Sequence, residues 1–134
     1  MQTKPVLTVA ETTRMLDAAR AEAEKNKWPV AIAVVDDGGH LLGLLRLDGC
    51  APISSETATG KARTSAVGRR ESRLYEEMIN NGRTAFLSAP MVATLEGGVP
   101  VIVDGHVVGA VGVSGVKPGE DAQVARAGAQ ALAQ

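Results

Sequence analysis

Residues 104–115 read DGHVVGAVGVSG and place four glycines and a histidine in a run that otherwise has the pattern of a buried strand. The run follows the apolar segment 99–103, and Asp-Gly is a favoured turn dipeptide between two strands, so the sequence predicts a β-hairpin here. Glycine inside a strand weakens it by roughly 0.5–1 kcal/mol relative to alanine. We therefore expect another element, a ligand or a second chain to approach this backbone closely.

A second segment repeats this pattern. Residues 40–49, HLLGLLRLDG, align without gaps on residues 106–115, HVVGAVGVSG, and both segments follow an apolar strand and a glycine-containing turn. The first of these strands is predicted at 30–35 and its turn is DDGG at 36–39. The sequence therefore predicts two similar hairpins in one antiparallel sheet.

Alternate side chains of a strand point to opposite faces of its sheet. In the second hairpin the odd-numbered face is apolar and should carry the core helices, with Gly109 and Gly43 letting a small-faced helix that contains Gly128 lie close. The even-numbered face is thinned by small residues and should admit a ligand or another subunit; its residues are His106, Val108, Ala110, Gly112 and Ser114. The alternative is that the glycines serve only twist, bulges and turns.

Helices are predicted around these strands. Thr8 and Glu11 fit a capping box that begins a helix ending near residues 25–27, before Pro29. Further helices are predicted at 56–67, at 72–80 and after Glu120, with a less readable segment at 92–95 interpreted as a strand.

The composition limits the classes of function that the chain can have. With 134 residues, 45% hydrophobic, 22% charged and a net charge of −1, the chain is typical of a single globular domain over 1–134, without the charge excess of nucleic-acid or membrane-surface binders. The first residues contain no apolar stretch of signal-peptide length, so we expect a cytoplasmic protein. Cys50 is the only cysteine, and a small apolar filler is its simplest role.

Several motifs together resemble a known family. They are VVDDGGHLL at 34–42, RLDG at 46–49, GKART at 60–64, GGVPVI at 97–102, the second hairpin itself, and Asp121 with the ending at 127–128. In this order and spacing they resemble the GlcG/HbpS-like proteins, a haem-binding family that also supplies the C-terminal domain of PduO-type cobalamin adenosyltransferases. The resemblance spans nearly the whole chain.

The resemblance implies a profilin-like α+β fold with a central antiparallel sheet of about five strands and helices packed on it. It also implies homo-oligomers, from dimers to octamers. Family members bind haem and in some cases degrade it, while others belong to catabolic settings such as glycolate use.

A haem site needs an axial ligand, an apolar slot and cations for the propionates. His106 is the candidate metal ligand because its strand face is thinned by glycine, although both His106 and His40 also fit solvated turn residues. The other candidate ligand-binding residues are Arg46, Asp48, Lys61, Arg63, Gly112 and Ser114. For Arg46, Asp48 and Lys61 a structural ion pair is the competing interpretation.

Three functions stay open at this point. The first is an oligomeric protein that binds haem or a related tetrapyrrole, with haem degradation as an extension. The second is an enzyme acting on a small carboxylate-bearing metabolite, supported by the charged cluster and by the presence of only three aromatic residues in the chain. The third is a structural or accessory subunit without a ligand. The sequence contains no recognisable nucleophile–base motif and no phosphate loop.

Overall fold

The two predicted hairpins lie side by side in one antiparallel sheet. In the computed structural model, which describes residues 1–91 and 93–132, the strand order is β2-β1-β4-β3. The elements are α1 (Val9–Lys25), β1 (Ala31–Asp36), β2 (Leu41–Arg46), α2 (Ile53–Gly68), α3 (Arg73–Asn80), a 3-10 turn (Thr84–Ser88), β3 (Gly98–Val103), β4 (His106–Ser114) and α4 (Pro118–Gln130). The α+β class is confirmed.

In the described ranges the sheet has four strands, where the family resemblance implies about five. Of the strand predicted at 92–95, Val92 lies outside the described residues and 93–95 form no strand. The capping box of α1 is confirmed, because the Thr8 hydroxyl accepts from the Glu11 backbone and the Glu11 carboxylate accepts from the Thr8 backbone. No helix in the described ranges combines the length and apolar character that crossing a membrane requires.

Both hairpins contain the same irregularity. The pairing of β1 with β2 shifts at Leu42, and the pairing of β3 with β4 shifts at Val108. Strands β2 and β4 therefore each carry one extra residue that has no partner on the neighbouring strand. Leu42 and Val108 are aligned positions in the sequence echo, and each precedes a glycine, Gly43 or Gly109. Beyond a bulge of this kind, odd- and even-numbered side chains exchange the faces of the sheet to which they point.

The bulge corrects the predicted faces. Val108 is 3% exposed and packs with Val111 and Val113 in the larger core cluster, whereas Val107 is only half-buried. The prediction of strict odd and even faces therefore holds from Gly109 to Ser114 and is wrong at the start of β4.

Helices α1 and α4 cover one face of the sheet. Met15 of α1, Val124 of α4 and Val111 of β4 are fully buried together. Close approach depends on glycine: a Cβ on Gly43 would lie 2.9 Å from Leu16, and one on Gly128 would lie 3.1 Å from the Met15 carbonyl oxygen. Helix α4 packs on this layer, with Gly128 against α1. The prediction that Gly43 and Gly109 admit this helix is wrong, because the nearest atoms to a Cβ on Gly43 belong to α1 and those to a Cβ on Gly109 belong to Val35 and Leu7.

Helix α2 covers the other face. It packs through alanines on Ala33 and Ala110, which are fully buried, and it passes directly over Gly112. A Cβ on Gly112 would lie 2.1 Å from the Ala58 carbonyl oxygen and 2.5 Å from the Ala62 nitrogen. The prediction that this face of β4 is open to a ligand or a subunit is wrong, because the element that approaches the glycine backbone is the chain's own helix.

Candidate functional site

A groove lies at the end of the sheet where β2 finishes. It has a volume of about 640 Å³ and opens widely to solvent. Its lining comes from the last turns of α1, the α1–β1 connection and the end of β2: Arg20, Glu24, Lys27, Trp28, Pro29, Leu45, Arg46, Leu47, Asp48 and Gly49. Two of the predicted ligand residues, Arg46 and Asp48, belong to it.

Local backbone conformation shapes this groove. Lys27 adopts a left-handed conformation with φ of 59°, so the chain reverses after α1, and the Trp28 nitrogen donates to the Ala23 carbonyl at 2.9 Å. The Leu47 nitrogen donates to the Val30 carbonyl at 2.9 Å, which keeps the end of β2 beside the connection. Gly49, with φ of 84°, turns the chain away. Trp28 is thereby held half-buried at the groove wall.

Charged side chains make up half of the groove lining. Arg20, Lys27 and Arg46 supply three cations, and Glu24 and Asp48 supply two carboxylates. Arg20 is paired with Glu24 one helical turn away, a hydrogen bond that raises the pKa of its guanidinium. Lys27 and Arg46 are exposed. With the Trp28 indole and Pro29 alongside, the groove can bind an anionic molecule that also has an apolar face.

Lys61 lies elsewhere and is buried, with 4% of its surface exposed. Its Nζ donates to the Val113 carbonyl oxygen at 3.0 Å and to Asp121 Oδ2 at 3.1 Å. Asp121 is also buried and accepts from the Val116 nitrogen at 3.1 Å. Burial raises the pKa of the Asp121 carboxyl, and attraction by the Lys61 ammonium offsets part of that rise. The geometry agrees with a structural ion pair rather than an open binding group.

Three other predicted residues do not reach the groove. Arg63 is exposed on the outer side of α2, and its stem lies over Gly39 in the β1–β2 turn. Gly112 lies beneath α2. Ser114 is partly buried, and both it and Arg46 pair with Ala31, so these two residues share one end of the sheet as predicted.

The two histidines lie at the opposite end. His106 begins β4 and His40 precedes β2, and both are exposed. The eight residue steps from His106 to Ser114 span roughly 26 Å at about 3.3 Å each. The predicted residues therefore form no single site within one chain. Within residues 1–91 and 93–132, no group of three His, Cys, Asp or Glu side chains is arranged to hold a metal ion.

Sequence reasoning missed Arg20, Lys27 and Trp28. They lie about twenty residues before Arg46 in the chain and reach the same groove only because α1 packs across β2. A signal was present, since Trp28 is the only tryptophan and sits between Lys27 and Pro29 at a helix end. Cys50, half-buried against the α2-side core, behaves as the expected filler.

Comparison with known proteins identifies the family. A family model described as haem degrading protein HbpS-like matches residues 7–130. The chain belongs to the HbpS-like family. GlcG of Escherichia coli strain K12 is 58% identical to it over 114 residues, which are 85% of either chain.

Solved structures with this fold agree with the family. A double mutant of HbpS from Streptomyces reticuli superposes with a TM-score of 0.89 at 34% identity, covering 100% of this chain and 92% of that one. A structure described as a PduOC:heme complex superposes with a TM-score of 0.85 at 24% identity and covers 96% of each chain. The second similarity establishes the fold alone.

Proposed function

We propose that this HbpS-like protein is an oligomeric small-molecule-binding protein whose ligand is haem or a related tetrapyrrole carboxylate. The observation that carries the proposal is the groove at the end of β2, which is lined by three cationic side chains and by the Trp28 indole. The description of the family as haem degrading and the haem complex of a fold neighbour support the same ligand class.

The groove residues fit part of a haem. Arg20, Lys27 and Arg46 would pair with the propionates, and Trp28 with Pro29 would contact one face of the macrocycle. The groove offers no axial ligand for the haem iron, because none of the lining side chains is a histidine, methionine, cysteine or tyrosine.

An iron ligand would therefore have to come from another copy of the chain. His106 is exposed but lies roughly 26 Å from the groove end of its own strand, so it reaches a ligand in this groove only from a neighbour. We keep His106 as the proposed iron ligand on this basis, and its role requires an oligomer.

Titration of the purified protein with hemin tests the proposal. We expect saturable binding with a Soret shift and quenching of Trp28, the chain's only tryptophan. Arg46→Glu should raise the dissociation constant by about tenfold, because it replaces a favourable charge with a repulsive one. Arg14→Glu, on the exposed side of α1 away from the groove, is the matched control.

Two comparisons sharpen this experiment. His106→Ala should alter the Soret position, while His40→Ala should leave it unchanged. If iron-free protoporphyrin binds as tightly as hemin, coordination of the iron by His106 is wrong. If hemin uptake is not saturable, the assignment of haem as the ligand is wrong altogether.

A second candidate is a small carboxylate-bearing metabolite bound in the same groove. It is favoured by the two carboxylates, Glu24 and Asp48, which stand among the cations and could exchange protons with a substrate. A thermal-shift screen with small hydroxy acids beside hemin separates the candidates, since a true ligand raises the unfolding midpoint by mass action. Loss of that shift in Arg46→Ala would assign the ligand to the groove.

A further inference from the structure

Two arginines that follow consecutive helices are held by the same backbone arrangement. Arg70 comes after α2 and Arg83 after α3. In each case the arginine nitrogen donates to the carbonyl oxygen five residues earlier, at 3.2 Å for Arg70 and 3.0 Å for Arg83. The residue before each arginine is left-handed, with φ of 60° at Arg69 and 103° at Gly82. This is the Schellman arrangement that ends many helices, and it fixes the backbone of both arginines.

Both arginines lie over aromatic rings. The guanidinium carbon of Arg70 is 5.4 Å from the centre of the Tyr75 ring, and that of Arg83 is 4.9 Å from the centre of the Phe86 ring. At such distances an aromatic ring attracts the cation. Tyr75 and Phe86 are themselves neighbours, with ring centres 5.7 Å apart, and they are two of only three aromatic residues in the chain. We call these four residues the arginine–aromatic cluster.

The two cations of the cluster have no carboxylate partner. Among the described residues, neither of them takes part in a salt bridge. Two other arginines near α3 differ in this respect, since Arg73 pairs with Glu77 and Arg126 pairs with Glu71. An aromatic ring attracts a guanidinium but offers no oxygen atom to its N–H groups. The donors of the cluster therefore stay available to an oxyanion from outside the chain.

The rings form a fixed base beneath exposed charges. Tyr75 is 4% exposed, and a Cβ on Gly68 would collide with its hydroxyl, so the ring occupies a space that depends on glycine. Phe86 is half-buried, whereas both Arg70 and Arg83 are exposed. Each guanidinium can thus be reached from solvent while its position is restricted by the ring beneath it.

A shallow pocket adjoins one end of the cluster. It has a volume of about 170 Å³ and is lined by Arg83, Ala85, Phe86, Ser88 and Ala89. Its only charged lining residue is an arginine, and its apolar lining is small apart from the phenyl ring. The pocket therefore fits a compact anionic group rather than a large apolar one.

We propose that the arginine–aromatic cluster binds a small dianion, with one carboxylate or phosphate group on each guanidinium. One molecule can reach both cations because the two rings that support them are in contact. The guanidinium fork matches the oxygen atoms of both kinds of anionic group. The inference goes beyond the proposed function, because none of the four residues belongs to the groove at the end of β2.

Calorimetric titration with dicarboxylates of increasing chain length, from malonate to adipate, tests the site, with pyrophosphate as the phosphate counterpart. We expect saturable binding of one dianion per chain and a best chain length set by the spacing of the two guanidinium groups. The monomethyl ester of the best dicarboxylate should bind at least about tenfold more weakly, because it loses one charge-assisted pair. Whether pyrophosphate or the best dicarboxylate binds more tightly identifies the anionic group that the site prefers.

Substitutions then assign the binding to the cluster. Arg70→Gln and Arg83→Gln should each raise the dissociation constant of the best dianion by about tenfold, and in each variant the dianion and its monoester should bind within about threefold of each other. Arg14→Gln removes an exposed arginine of α1 and is the matched control, expected to change neither value. Tyr75→Phe keeps its ring and should keep the binding, whereas Phe86→Leu removes the support of a cation and should weaken it.

The outcomes separate this site from the groove. Arg46→Ala, in the groove, should leave dianion binding unchanged, and loss of binding in that variant would place the anion in the groove and overturn the proposal. The proposal is also wrong if no dianion binds saturably, if the monoester binds the unsubstituted protein as tightly as the dianion, or if both cluster variants keep full affinity. Circular dichroism checks the fold of every variant. Hemin titration of Arg83→Gln, expected to match the unsubstituted protein, reports on the proposed function independently.

Discussion

Lys61 Nζ and Asp121 Oδ2 lie 3.1 Å apart in the protein interior, and the contact joins α2 to α4 past the end of β4. The two side chains are about as buried as the aliphatic core. Lys61 also donates to the Val113 carbonyl, and a Cβ on Gly97 would lie 2.9 Å from its Nζ, so the Gly97 backbone lies close beside the ammonium. The ammonium is thereby held by the Asp121 carboxylate and the carbonyl oxygen of Val113 near the end of β4.

Removing one partner of this pair should be costly. Lys61→Met leaves Asp121 buried without its cation, and we expect the free energy of unfolding to fall by about 3–5 kcal/mol. Chemical denaturation measures the change, with Lys25→Met on the exposed side of α1 as a control expected to stay within about 0.5 kcal/mol. Lys61→Met/Asp121→Asn removes both charges and should recover roughly half of the loss. A fully stable Lys61→Met would contradict the structural role.

The pair also predicts a pH dependence. Burial raises the pKa of the Asp121 carboxyl above its value in the unfolded chain, so the folded state takes up a proton before the unfolded state does as pH falls. The contribution of Asp121 to stability therefore increases as pH is lowered through its folded pKa towards its unfolded value near 4. Asp121→Asn has no such titration. We expect the unfolding free energy of the wild type relative to Asp121→Asn to be larger at pH 4 than at pH 7, and the opposite trend would contradict the direction of the shift.

The start of α1 offers a simpler test. The Thr8 hydroxyl and the Glu11 carboxylate satisfy backbone groups that the first helical turn leaves without partners. Thr8→Ala removes one half of this arrangement and should lower the free energy of unfolding by about 1 kcal/mol. Thr13→Ala, exposed within the same helix, should leave stability unchanged or slightly raised because alanine has the higher helix propensity. Equal effects at the two positions would argue against the cap.

The hairpins could be predicted because their information is local. A turn dipeptide, an apolar strand and a ten-residue echo are all read from neighbouring positions, and the structure confirms two hairpins in one sheet. The bulges at Leu42 and Val108 could not be predicted in the same way. Period-two alternation assumes that each residue of one strand pairs with one residue of the next. Nothing in the residue types indicates an unpaired extra residue before Gly43 or Gly109.

The candidate site was harder to predict because it is made by packing. Gly112 indicates a close approach, but residue types alone do not say whether a ligand, another subunit or an element of the same chain covers a glycine. The GKART motif predicts a binding role for Lys61, yet its partner Asp121 lies sixty positions later and meets it only in the folded chain. The groove joins the end of α1 to the end of β2, and no periodicity connects those segments.

Gly112 provides the most direct test of what approaches the sheet. A methyl group at this position would collide with the Ala58 carbonyl oxygen and the Ala62 nitrogen, both of which are backbone atoms of α2 that cannot rotate away. Gly112→Ala should therefore lower the free energy of unfolding by about 1–3 kcal/mol or more, without any ligand present. Gly119→Ala, in the first turn of α4 where a Cβ meets nothing within 4 Å, should be neutral or stabilising. If Gly112→Ala instead kept full stability and changed only ligand binding, α2 would not lie against this strand, and the face first predicted to be open would be open after all.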